Sequence, residues 1–256
     1  MKKNLTILTI AVVVIGVLSC DRDNDNGNGN GTKPAPFTIT AVVYNGNDYN
    51  NLISGVVAKS ITRSYAMEVI ASANYFNGGF TITLPATLDD KFLFSNPFSR
   101  LEASGFTISD KNARVTHFFD GMTVLANSGD NEIIGLFVHR DLNNFDAHLE
   151  GFFMYADRDV TITGTHRSVT PGGLNHTETW LVFLRKGWNK VYFKGTSEEQ
   201  EITSMYVTEP IFGELNWYFF EIFWDNFAGI PGSAEAVPSV IPSVARNLSA
   251  ILNNVH

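Results

Sequence analysis

The chain has 256 residues, 44% of them hydrophobic and 20 of them Phe, enough for one large core or two small ones. Its net charge of −8 argues against a nucleic-acid partner, whose backbone must be met by a basic patch. The single cysteine excludes an internal disulfide, so burial has to hold the fold together.

Met1-Lys2-Lys3 is a short positive start, and the apolar run 5–18 (LTILTIAVVVIGVL) follows it. That run falls short of the roughly 20 residues that span a bilayer and reads as a signal peptide covering residues 1–19. It ends at Val17-Leu18-Ser19-Cys20, which resembles the lipobox of bacterial lipoproteins. The resemblance implies that Cys20 becomes the first mature residue and carries lipid on its thiol and amine, placing the protein at the outer membrane. More than one acyl chain makes such an anchor stable.

Residues 20–36 read as a lipidated, disordered tether, because Asn/Gly alternation offers nothing to bury. Asp21, Asp23 and Asp25 invite comparison with a calcium loop. The turn position is Asn26 and the twelfth is Thr32, so neither the glycine nor the glutamate that such a loop needs is present. An acidic run directly after the lipidated cysteine resembles the surface-export signal of Bacteroidota lipoproteins, which implies possible display on the cell surface.

From residue 37 onward, short runs rich in β-branched and aromatic residues alternate with Gly/Pro/Asn/Asp punctuation. Strands are predicted over 37–44, 52–61, 66–71 and 80–84, with Asn77-Gly78 as a hairpin turn. Residues 85–100 read as irregular. Further strands are predicted over 106–108, 113–119, 122–125 and 132–139, with Asp120-Gly121 as a second hairpin cue. The stretch 152–193 is the most regular: strands at 152–155, 160–165, 180–184 and 188–193, with 147–151 leading in. Strands at 201–207 and 215–224 close the set, the last too apolar to alternate and therefore expected as a central strand buried on both faces.

Strands at this spacing, without a convincing amphipathic helix among them, predict an all-β domain over 37–224. The expected form is a two-sheet antiparallel β-sandwich, with a β-barrel as the alternative, either as one body or as two lobes meeting near 141–146. Residues 225–256 differ in composition and read as a tail outside the core, with one short helix over 243–255.

A wider resemblance rests on five segments in order: Asn77-Gly78-Gly79-Phe80-Thr81-Ile82-Thr83-Leu84-Pro85, Ile108-Ser109-Asp110-Lys111-Asn112-Ala113, the run 155–165 (YADRDVTITGT), Leu184-Arg185-Lys186-Gly187-Trp188-Asn189, and Trp217-Tyr218-Phe219. Together they resemble a family of uncharacterised cell-envelope lipoproteins of Bacteroidota. The resemblance implies an address and a β-rich fold. It implies no activity, cofactor or site residue.

Four features are candidates for chemistry. Asp157 and Asp159, two apart, suit an acid/base pair, although a charged turn with Arg158 is the simpler reading. Asp146, His148 and Glu150 alternate, so on an extended chain all three share a face, which is equally the wet face of a half-buried strand. None of the histidines His117, His139, His148, His166, His176 and His256 forms a short zinc spacing with another, so no metal or other cofactor is expected. Trp180, Trp188, Tyr192, Trp217 and Tyr218 can line a core or present flat faces to sugar rings. With Cys20 lipidated no thiol nucleophile remains, and no nucleophile elbow or phosphate loop is present.

The sequence thus predicts a non-catalytic, lipid-anchored binding or structural module, with a membrane contact through its lipid and a glycan or envelope protein as partner. One rival is a glycan- or nutrient-binding accessory of an uptake system, which predicts exposed coplanar aromatics. Another is a carboxylate-dependent hydrolase, which predicts converging Asp and Glu side chains. A third is an adhesive subunit that needs an unpaired or donated strand.

Overall fold

The computed structural model describes residues 35–95, 97–117, 122–130, 132–142, 147–198, 201–208 and 215–221. Cys20, the signal peptide and tether before residue 35, the Asp120-Gly121 cue, Asp146, Trp224, His256 and the helix expected over 243–255 lie outside the described residues.

The first strands follow directly from the alternation. In β1 (Phe37–Val42) and β4 (Gly79–Leu84), Ile39, Ala41, Phe80, Ile82 and Leu84 turn inward. Thr38 and Thr40 face outward, directly opposite Thr83 and Thr81. Between β3 (Met67–Phe76) and β4, Asn77 and Gly78 take φ of 50° and 74°. Two successive positive φ values give the turn whose twist matches the flanking strands, and Asn-Gly is the pair that tolerates them. β2 (Gly55–Ile61) pairs with β3 on one edge and with β6 (Thr123–Asn127) on the other.

The later strands are β5 (Thr107–Ile108), β7 (Ile133–Asp141), β8 (Ala147–Ala156), β9 (Val160–Val169), β10 (Asn175–Leu184), β11 (Gly187–Ser197), β12 (Glu201–Val207) and β13 (Asn216–Glu221). The all-β expectation holds. Hydrogen bonding runs through one thirteen-stranded sheet in the order β1-β4-β3-β2-β6-β7-β8-β11-β12-β10-β9-β5, with β13 added to β7. Pairing is antiparallel except between β10 and β12, which run parallel. β10 and β11 are joined by Arg185 and Lys186 alone, yet β12 lies between them. The Asn189 side chain holds the closed end of this fork, accepting from Arg185 N at 2.8 Å and donating to Arg185 O at 2.7 Å.

Three local expectations are corrected. Residues 85–100 contain a 3₁₀ turn (Asp90–Phe92) and the start of a short helix, α1 (Ser99–Ala103). The strand expected over 113–119 reduces, in its described part, to single bridges from Val115 to Phe94 and to Ala156. Arg114 and Asp157 claim each other's hydrogen bonds there instead of extending a ladder. Among the described residues β13 is not central: it pairs with β7, and its other edge makes one bridge, from Trp217 to Val43. It is apolar because Trp217 and Tyr218, on opposite faces, are both buried.

β8 and β11 form a wall between two cores. Phe153, Tyr155 and Trp188 enter a cluster with Ile53, Val56, Phe80, Ile82 and Trp217. Met154, Ala156 and Val191, from the other face, join Ile162, Trp180, Val182 and Leu184, capped by Phe98, Leu101 and Phe106 from around α1. Each large apolar side chain buried in this way stabilises the fold by about 1.5–3 kcal/mol.

Candidate functional site

On the Phe153 side of the wall a cleft of about 420 Å³ opens between β1 and the strands β7, β8, β11 and β13. Phe37, Thr38, Ile39, Thr40 and Val42 form one side, and His139, Phe153, Lys190, Leu215, Asn216 and Trp217 form the other. The volume is in the range of sites that enclose a small solute.

Lys190 is the charged group in this cleft. The alternation of β11 places Trp188, Lys190 and Tyr192 on one face, so the lysine stem must cross an aromatic surface. Its Nζ stands 5.0 Å from the ring centre of Tyr192 and 6.0 Å from that of Phe153. No described carboxylate pairs with it. Burial pushes the ammonium down to about 8 from the ordinary lysine value near 10.5, because the charged form loses its hydration.

His139 lies beside it on β7. Its ring packs 4.9 Å from Trp217, and it bonds to the backbone of Leu215. Burial, reinforced by the nearby Lys190 charge, lowers its pKa to about 3, so the ring is neutral. Nδ1 is buried without a hydrogen-bond partner among the described residues. Gly151, opposite His139 on β8, makes the space: a Cβ there would lie 2.7 Å from His139 Nδ1 and 3.1 Å from Lys190 Cε. The imidazole and the lysine stem therefore converge over one missing side chain.

The opposite face of the wall carries a second polar group. Arg140 donates from Nη2 to His148 Nδ1 at 2.9 Å, and His148 Nε2 lies 2.8 Å from a Glu150 carboxylate oxygen. An arginine cannot accept, so Nδ1 is the acceptor and Nε2 carries the proton that reaches Glu150. Arg140 and Glu150 are both buried and sit opposite each other in the β7–β8 register. Burial lowers the Arg140 pKa, and the Glu150 carboxylate counters it.

The predicted candidates are distributed as follows. His148 and Glu150 do share a face, as their alternation required, but they are tied to Arg140 inside the protein. Asp157 and Asp159 hold separate parts of the turn after β8. Asp157 accepts from Arg114 and Arg158, and Asp159 accepts from Lys186 N at 2.8 Å and Arg185 Nη1 at 3.2 Å. His166 contacts Ser104 O and His176 contacts Ser204 Oγ, both at 3.1 Å, while His117 packs against Phe94. Among the described residues, no three His, Cys, Asp or Glu converge as a metal-holding group.

The three described tryptophans are buried. Trp180 stacks on Tyr206 with ring centres 3.8 Å apart, and Trp188 donates to Pro85 O at 2.9 Å. Tyr218 lies against Tyr44. Of the aromatic set, only Trp217 and Tyr192 reach the cleft region, and neither presents an open platform. The Lys190/His139 pair was missed by the sequence reading. Its signal was a lysine flanked two residues away on both sides by aromatics, in a strand whose same face feeds a core.

Compared with family models, with curated proteins and with solved structures, the chain matches none.

Proposed function

We propose that this is a lipid-anchored protein of the bacterial outer membrane, attached through Cys20, whose β-rich body binds a small solute without turning it over. The single observation that carries the binding role is the cleft between β1 and the β8–β11 wall, with Lys190 as its one cation among the described lining residues. A lysine half-buried against Phe153 and Tyr192 costs stability unless something is gained from it, and a ligand is what a cleft-facing ammonium can gain. A sugar-like nutrient suits a cleft in which one amine stands beside the aromatic faces of Phe37, Phe153 and Trp217. The lipobox-like run before Cys20 and the Asn/Gly tether support the address.

The binding role is tested by thermal-shift and calorimetric titration of the full mature chain against a panel of sugars, amino acids and carboxylic acids. A ligand that shifts the wild type but not Phe37→Trp, which enlarges the ring that faces Phe153 across the cleft, supports the reading. Shifts that survive Phe37→Trp, or no shift across the panel, sink it. The anchor is tested by labelling cells with an alkyne fatty acid: the label must vanish in Cys20→Ala.

A further inference from the structure

We propose that Lys190 captures a small hydroxylated aldehyde, such as the open-chain form of a reducing sugar, as a reversible imine within the cleft; the inference rests on the binding role proposed above.

Three features of the cleft carry it. First, Lys190 lines a cleft of about 420 Å³, large enough for the aldehyde as well as the amine. Second, its surroundings are aromatic and neutral. Phe153 and Tyr192 lie under Nζ, and no described carboxylate fixes it in the charged form. A lysine desolvated in this way is a more available nucleophile than one on the surface. The downward shift to about 8 agrees with that geometry. Third, His139 is more than nine-tenths buried, and its Nδ1 lone pair has no partner among the described residues. It converges with the Lys190 stem over Gly151. A buried acceptor left unsatisfied calls for an explanation, and an N–H of the amine or of the carbinolamine supplies one. The ring stays neutral at any physiological pH, so it accepts that hydrogen bond without competing for the proton. His139 is thus a positioning residue, and Lys190 is the group that reacts.

The step balances without an oxidant or co-reactant. The Lys190 nitrogen lone pair forms a bond to the aldehyde carbon, and the carbonyl π pair moves to oxygen. That oxygen takes the proton shed by nitrogen, giving a carbinolamine. Loss of the second nitrogen proton and the hydroxyl as water leaves the C=N bond. The sum is aldehyde plus amine to imine plus water, and hydrolysis reverses it.

The experiment treats the full mature chain with glyceraldehyde and sodium cyanoborohydride, and quantifies the reduced adduct at each lysine by peptide mass spectrometry. Lys190 is expected to label at least fivefold faster than Lys59, Lys91, Lys111, Lys186 and Lys194 at pH 7.5. Its rate should reach half its maximum near pH 8. His139→Phe, checked for folding by near-UV circular dichroism, should slow Lys190 selectively and leave the other lysines unchanged. Labelling of Lys190 at or below the rate of the surface lysines, or a midpoint near 10, overturns the proposal. The two readings separate when both assays are read together: ligand shifts lost in Phe37→Trp with Lys190 labelled no faster than the surface lysines keep the binding role and remove the imine, whereas fast labelling of Lys190 with ligand shifts that survive Phe37→Trp removes the noncovalent reading alone.

Discussion

Asp157 holds Arg114 twice. Its carboxylate accepts from the Arg114 main-chain N–H at 2.9 Å and from its Nε at 2.8 Å, while the Asp157 N–H returns a bond to Arg114 O at 3.0 Å. This clamp fixes the 113–116 segment to the end of β8, where Val115 and Ala156 enter the second core. Burial alone would raise the Asp157 pKa, but the hydrogen bonds from Arg114 and Arg158 outweigh it and hold the carboxyl below its ordinary value. A depressed carboxylate contributes stability that is present above the unfolded pKa, near 4, and is lost as pH falls through the folded one. Asp157→Asn is expected to cost about 2 kcal/mol at pH 7, as charge-assisted bonds of this kind do. Urea titrations at pH 7 and pH 3 check it: the gap between variant and wild type should shrink at the lower pH.

His139 gives a second pH dependence. Its folded pKa of about 3 lies below the unfolded value near 6.5, so the unfolded chain binds more protons between those limits. Stability from this group is therefore full above pH 6.5 and falls toward pH 3, by up to about 1.4 kcal/mol per pH unit. His139→Gln should flatten that slope in chemical denaturation between pH 6.5 and pH 4.5.

Lys190 is a cation of the same kind as protonated His139, and its linkage has the same sign. Its folded pKa, about 8, is below the ordinary 10.5, so stability rises as pH climbs through that window. At pH 7 the half-buried ammonium is a burden. Lys190→Met, which keeps the stem and removes the charge, is expected to stabilise the protein by about 1 kcal/mol after allowance for solvent screening. An unchanged or lowered midpoint in urea would contradict the description of this site.

Gly151→Ala tests the space over which His139 and Lys190 meet. A Cβ 2.7 Å from His139 Nδ1 forces the buried ring to move, at a cost of about 1–3 kcal/mol. The loss should appear in thermal melts together with a changed Trp217 fluorescence spectrum, since that indole packs on the imidazole.

Glu150→Ala removes the carboxylate end of the Arg140–His148–Glu150 chain and leaves a buried guanidinium without its counter-charge. Breaking a buried pair in this way costs about 3–5 kcal/mol. The double variant Arg140→Met/Glu150→Met should recover most of the loss, which equilibrium unfolding measures directly.

Most of the strands were legible because alternation survives in sequence: Thr38, Thr40, Thr81 and Thr83 face out while Ile39, Ala41, Phe80 and Ile82 face in. The Asn77-Gly78 turn was equally plain. Val115 was not. Its β-branched neighbourhood looks like a strand, but the long-range bonds of Arg114 to Asp157, 43 residues away, decide its conformation, and no local pattern records them. The candidate site escaped for a related reason. His139 and Lys190 are 51 positions apart, and only the β7–β8–β11 order brings them over Gly151. Glu150 and His148 were grouped correctly from a period of two, but the partner that occupies them, Arg140, comes from the neighbouring strand.

The fork of β10 and β11 has a consequence for how the chain reaches this state. Two strands joined by Arg185 and Lys186 are placed to zip into a hairpin within microseconds, long before residues 201–207 can find them. The native sheet forbids that hairpin beyond its closed end, because β12 occupies the space between the arms. Folding must therefore either build β11–β12 first and dock β10 afterwards, or form the fast hairpin and reopen it. In the second route the local pairing is a trap that the rest of the chain has to undo. The Asn189 side chain, bonded across the Arg185–Gly187 bend, marks how far the arms can close before the kinetically easy pairing becomes the wrong one.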